Sequence, residues 1–184
     1  TAIQQTASDV TVTLRDREDL QARAVVVATP LNTWRSIDFD PALSDAKREL
    51  IAKGHAGHGV KVMIRVQGRH DLNVALPESY PLTWVQPEFL DEDETIFLAF
   101  GPDGGALVPG DESAVRAALD TAIPDMEVLE VIGHDWVGDE LSRGTWAMYR
   151  PGQLTGLLPA ARRPEGRIAF AGADISRGWI SLVD

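Results

Sequence analysis

At 184 residues the chain is long enough for one full core, or for one domain with part of a second. A formal net charge of −11 argues against nucleic acid, whose phosphates require clustered Lys and Arg. Zero cysteines exclude disulfides, thiolate metal sites and a cysteine nucleophile. No apolar run approaches the roughly 18–20 residues that span a bilayer, and Thr1 to Gln5 lack the basic and apolar regions of a secretory signal. The expectation is a cytoplasmic protein with neither nucleic acid nor membrane as partner. A start at Thr1 rather than Met fits a portion of something longer.

Residues 10–14 alternate, residues 15–19 form a polar turn, and residues 24–28 are a continuous β-branched run. The pattern predicts a hairpin whose second strand is buried on both faces, ended by Thr29-Pro30. Residues 44–53 predict a helix with Ser44 as N-cap, Lys47 at the capping-box position, and Ala46, Leu50 and Ile51 on one face. A glycine-rich link over 54–59 leads into a strand over 60–66, and a second strand covers 95–100. Residues 111–123 predict a helix turning Val115, Ala118, Leu119 and Ala122 inward and stopped by Pro124. A strand follows over 128–136, then loop with some turn structure over 150–164. Strands and helices without strict βαβ alternation predict an α+β domain with a mixed or antiparallel sheet.

The last stretch, residues 166–179, reads as a buried strand running into a Gly-rich turn with an acidic residue. That is half of the device by which nucleotide-binding proteins hold phosphates and ribose hydroxyls. An ordinary turn explains Gly172 and Asp174 equally well. Alternation places Lys61 on a strand face with Met63 and Arg65, opposite Val60, Val62, Ile64 and Val66. It is either a solvated lysine or a site lysine that orients a water or stabilises an anion. His55 and His58 are three apart, but no further ligand cluster is evident, so loop polarity explains them better than a metal. Trp136, Trp146 and Trp179 lie near glycines, as core packing or as walls for a flat cofactor or substrate. Neither a Gly-x-Ser-x-Gly elbow nor a phosphate loop is present, so hydrolase and NTPase readings have no support.

Taken in order, several segments resemble the flavin-containing amine oxidase family of the monoamine oxidase type. These are Ala22 to Pro30, the Ile-x-Phe-x-Pro-x-Leu pattern from Ile37 to Leu43, and Gly57 four residues before Lys61. His134-Asp135-Trp136 followed by Gly144 and Pro151-Gly152 is similar too, as is the terminal Gly166-Arg167-Ile168 to Trp179 signature. The resemblance implies an enzyme that transfers a hydride equivalent from an amine carbon to FAD, with O₂ as reoxidant. It implies a catalytic Lys61 holding a water near the flavin, and cofactor contacts from Thr29, Gly172, Ala173, Asp174 and Trp179. Trp146 falls at one aromatic of the substrate cage, and Leu182 stands where a second aromatic is usual. Thr145 occupies the place of the cysteine that links flavin covalently in some members, so FAD is expected to be noncovalent. Asp174 stands for the usual Glu.

The family's Gly-x-Gly-x-x-Gly βαβ unit is absent from these residues. The family layout then assigns residues 1–30 to strands of an incomplete, Rossmann-like FAD-binding domain. Residues 31–160 form the substrate-binding domain, and 161–184 return to the FAD domain with its flavin-contacting motif. On this reading the missing FAD-domain segments are partners, the chain alone retains no FAD and is inactive, and exposed strand edges promote self-association. The alternatives are a flavin oxidase or desaturase of a non-amine substrate, such as a porphyrinogen or carotenoid, and a non-catalytic binding module.

Overall fold

The computed structural model describes residues 1–182. The chain divides into two compact units, one made of Thr1–Gly57 with the chain from Asp139 onward, the other of His58–Gly138. The first unit begins with β1 (Ala2–Gln5), β2 (Val10–Thr13) and β3 (Leu20–Ala22), then β4 (Val25–Val27), a 3-10 turn (Leu31–Ser36), β5 (Asp38–Asp40) and α1 (Asp45–Lys53). The second holds β6 (Val60–Gln67), β7 (Val74–Ala75), β8 (Trp84–Leu90), β9 (Glu94–Gly101), α2 (Glu112–Ala122) and β10 (Val128–Gly133). The first unit then resumes with a π-turn (Gln153–Leu157), α3 (Leu158–Ala161) and β11 (Ile168–Phe170). Among the described residues no helix is long and apolar enough to cross a membrane.

The second unit is a five-stranded antiparallel sheet, ordered β10-β6-β9-β8-β7. Along β6 the expected alternation holds: Val60, Val62, Ile64 and Val66 are buried while Lys61 and Met63 are exposed. The buried face packs with Phe97, Ala99 and Val85 against Val115, Ala118 and Leu119 of α2. Asp111 starts that helix, its carboxylate accepting the Ala114 N–H at 3.0 Å. Strand β8 runs through Pro87 because the pairing with β7 stops at Val85, leaving that side of Pro87 without a ladder partner to satisfy.

In the first unit β3-β2-β1-β5 form one sheet, β1 and β5 parallel, and β4 and β11 form a separate parallel pair. The architecture is the mixed α+β one expected, with four local corrections. The hairpin is β2 with β3, not with residues 24–28; these pair instead with β11, over 140 residues later in the chain. Nor is that strand buried on both faces: Val27 is buried but Val26 is 59 % exposed, since a two-stranded pair covered on one side leaves alternate residues out. Residues 150–164 contain the π-turn and α3, whose Leu158 and Ala161 join the core. Strand β10 stops at Gly133, short of Trp136; a Cβ there would meet Pro109 at 2.7 Å, so Gly133 admits a close chain crossing that ends the ladder.

Candidate functional site

Val25↔Ile168 and Val27↔Phe170 put the C-terminal ends of two parallel strands side by side. Just beyond those ends lie Ala28-Thr29-Pro30 and Ala171 to Ile175, which enclose a cavity of about 170 Å³. In α/β proteins ligands bind outside the carboxyl ends of parallel strands. Thr29, more than 140 residues before the consecutive Gly172, Ala173 and Asp174, lines this one cavity together with them.

The turn has little freedom. Gly172 sits at φ 125°, ψ 162°, a region essentially open only to glycine, and the nearest atom to a Cβ there would be the Ala28 carbonyl oxygen at 3.8 Å. The Asp174 carboxylate accepts the Leu31 N–H at 2.8 Å and so caps the 3-10 turn that follows Pro30. The Tyr149 hydroxyl donates to the Asp174 carbonyl at 2.6 Å, and Arg162 donates to the carbonyls of Ile175 and Ser176. Burial, reinforced by the Asp174 charge, pushes the Tyr149 hydroxyl well above its ordinary value, so it stays a proton donor. Trp34 donates its indole N–H to the Thr29 carbonyl at 3.0 Å and packs on Phe170, ring centroids 4.8 Å apart.

Behind Phe170 lies Lys47, whose side chain is fully buried, a residue read from the sequence only as a helix N-terminal position. Its ammonium sits 3.6 Å from the Phe170 ring centroid, donates to the Arg163 carbonyl at 2.6 Å and pairs with Glu165 at 3.2 Å. Burial pushes that ammonium below its ordinary value, against the pull of Glu165. Burial alone would raise the Glu165 carboxyl, but bonds from Ser44 Oγ and Ser44 N and the charge of Lys47 hold it below its ordinary value. Ser44 therefore spends its hydroxyl on Glu165 rather than on a cap bond to α1.

The other expected site residues are placed as follows. Trp146 is 42 % exposed on a loop of the first unit; Trp179 (77 %) and Leu182 (51 %) are exposed beyond the 173–175 turn. The Ser181 hydroxyl donates to the Ala147 carbonyl at 3.2 Å, tying that last stretch to the Trp146 loop. His55 is a buried structural residue whose Nδ1 accepts the Gly57 N–H at 3.1 Å; among the described residues no group of three or more His, Cys, Asp or Glu converges on a metal-sized site. Lys61 belongs to the second unit, on the sheet face away from α2, where it pairs in register with Phe100, itself paired with Trp84. The next row is Gln86, Leu98, Met63 and Ile132, and beyond it Arg65 binds both Glu94 and Glu130, each at 3.1 Å. Tyr149, Arg162 and Asn32 went unmarked in the sequence, where each is a lone polar residue without a motif, and nothing local marked Lys47 as more than a helix N-terminal position.

Paired parallel strands ending on a glycine-acid turn are a feature of nucleotide-cofactor proteins, and comparison with known proteins gives the class. The model of the flavin-containing amine oxidoreductase family matches residues 1–184, and the chain belongs to that family. It is 41 % identical over 171 residues to a pseudooxynicotine dehydrogenase of a Pseudomonas species, covering 90 % of this chain and 34 % of that protein. It is 38 % identical over 177 residues to (S)-6-hydroxynicotine oxidase of Paenarthrobacter nicotinovorans, covering 96 % of this chain and 41 % of that protein. The fold is that of wild-type putrescine oxidase in its structure bound to putrescine, with a TM-score of 0.79 at 21 % identity over 98 % of this chain and 43 % of that one. The chain thus spans less than half the length of the curated relatives it matches. The residues present fit part of a flavin cofactor's site: the open backbone at Gly172 allows a ligand close approach at the ends of the parallel strands.

Proposed function

We propose that this chain provides one wall of the FAD site and the substrate-binding region of a longer enzyme that oxidises an amine. The observation that carries the reading is the convergence of Thr29, Gly172, Ala173 and Asp174 on one cavity, in a chain matched along its length to the family. FAD, when bound, supplies the acceptor for a hydride equivalent from the amine carbon, and O₂ is the proposed reoxidant. Thr29, Gly172 and Ala173 hold the cofactor noncovalently and Asp174 keeps the turn in shape. Trp179 walls the flavin, Trp146 and Leu182 border the substrate, and Lys61 holds a water that serves reoxidation. The isolated chain, with its FAD-domain partners absent, is proposed to be inactive.

The substrate proposed is an amine bearing an aromatic ring, of the kind in the names of the pseudooxynicotine dehydrogenase and the (S)-6-hydroxynicotine oxidase. The exposed sheet face around Lys61 supports it. Trp84, Phe100 and Met63 offer apolar contact, while Glu94 and Glu130 on the same face are both paired with the single Arg65.

The test uses the flavin-loaded full-length protein in rapid-mixing experiments that follow reduction by amine and reoxidation separately. Lys61→Met is expected to slow reoxidation by O₂ roughly tenfold, ~1.4 kcal/mol of barrier, and reduction much less. Equal slowing of both half-reactions would make Lys61 structural. A pyridyl amine is expected to outrun putrescine in kcat/KM; the reverse order rejects the aromatic substrate. One relative is named a dehydrogenase and the other an oxidase, so oxygen consumption is measured against an artificial electron acceptor, and turnover supported only by the latter rejects O₂.

A further inference from the structure

We infer that Asn32 is a positioning residue for the loop that carries Trp146, acting through the backbone. The inference rests on the reading of Trp146 as a substrate wall.

Asn32 is 2 % exposed and stands in the 3-10 turn next to Leu31, whose N–H is held by Asp174. Its amide works at both ends. Oδ1 accepts the His55 N–H at 2.9 Å, while Nδ2 donates to the Arg143 carbonyl at 2.9 Å and to the His55 carbonyl at 3.4 Å. Arg143 has φ +54°, a left-handed conformation uncommon for a non-glycine residue, and Asn32 grips its carbonyl. Next comes Gly144, where a Cβ would lie 2.9 Å from Asn32 Nδ2 and 2.8 Å from His55 Cε1.

Two backbone bonds then bracket Trp146: Thr145 N–H to the Gly57 carbonyl at 3.0 Å, and Ala56 N–H to the Met148 carbonyl at 2.6 Å. A Cβ on Gly57 would come within 1.8 Å of the Trp146 carbonyl oxygen, so only glycine lets the two segments approach this closely. The 143–148 backbone is thereby fixed from both sides of Trp146, and Asn32 is the side chain that clamps it to the 54–57 link. Because Leu31 and Asn32 are adjacent, the flavin turn at Asp174 and the Trp146 loop are held by one two-residue run.

A planar amide can donate to carbonyls and accept an N–H within one side chain. Asn32→Asp keeps the shape and the acceptor but turns an oxygen toward two carbonyls. In the flavin-loaded full-length protein, Asn32→Asp is expected to raise the KM for amine about tenfold, ~1.4 kcal/mol, with flavin content unchanged and kcat within about twofold. In a Trp146→Ala background the same change is expected to add nothing to KM, since contacting groups are not additive. Equal cost in both backgrounds overturns the inference.

If Trp146→Ala leaves KM untouched, the substrate-wall reading fails, and positioning is decided by fluorescence alone. Acrylamide quenching of the Trp146 component, isolated by subtracting the Trp146→Phe protein, should rise in Asn32→Asp; unchanged quenching overturns the clamp. Should Asn32→Asp fail to fold, Asn32→Ser, which keeps one donor, is read in the same way.

Discussion

Gly172 is required for its backbone conformation rather than to avoid a clash within the chain, since a Cβ there would make only an ordinary 3.8 Å contact with the Ala28 carbonyl oxygen. Gly172→Ala is expected to cost about 1–3 kcal/mol of stability and to lower flavin content, checked by thermal melting and by the ratio of flavin to protein absorbance. Lys47 makes the opposite case, a cation enclosed for packing and pairing. Lys47→Met removes the bond to the Arg163 carbonyl and leaves Glu165 without its partner cation, an expected loss of about 1.5–3 kcal/mol in urea unfolding. The carboxyl of Glu165 lies lower in the folded chain than in the unfolded one. Its contribution to stability is therefore complete above the ordinary carboxylate range and disappears as pH falls through the lowered folded value. Glu165→Gln should flatten the acid limb of the stability profile below about pH 4 and lower the plateau at neutral pH. An unchanged acid limb would show that other carboxylates set it. In the sequence Gly172 and Asp174 stood out because glycine and a carboxylate after an apolar strand form a local pattern. Lys47 did not, because nothing near it in the chain announces Phe170 or Glu165.

At the level of elements, alternation in β6 and the inward face of α2 were legible, since a half-buried strand and an amphipathic helix print their period on the sequence. Leu119, fully buried in α2, is expected to cost about 2–5 kcal/mol when cut to Ala, measured by denaturant unfolding. The partner of β4 was not legible: a run of valines signals a strand but not its neighbour, and β11 is remote in the chain. The exposure of Val26 on that pair and of Leu20 on β3 leaves apolar strand surface open to another copy. The isolated chain is expected to self-associate in sedimentation at high concentration, and Val26→Lys to shift it toward monomer. A monomer at all concentrations rejects this expectation.

For the whole molecule, family membership was legible from ordered motifs along the chain, and the full-length family match agrees. The purified 184-residue chain is expected to show no flavin absorbance and the full-length protein to be yellow; a yellow isolated chain would show that these residues suffice for FAD. What could be derived from sequence was periodicity, turn chemistry and family resemblance, because each rests on residues a few positions apart. What required the folded chain was the choice of partners. Asp174 reaches Leu31, Asn32 reaches Arg143 and Lys47 reaches Arg163 across more than a hundred residues. A hydrophobic pattern reports which face a residue takes, whereas a buried polar group's partner depends on which distant segments the core brings together.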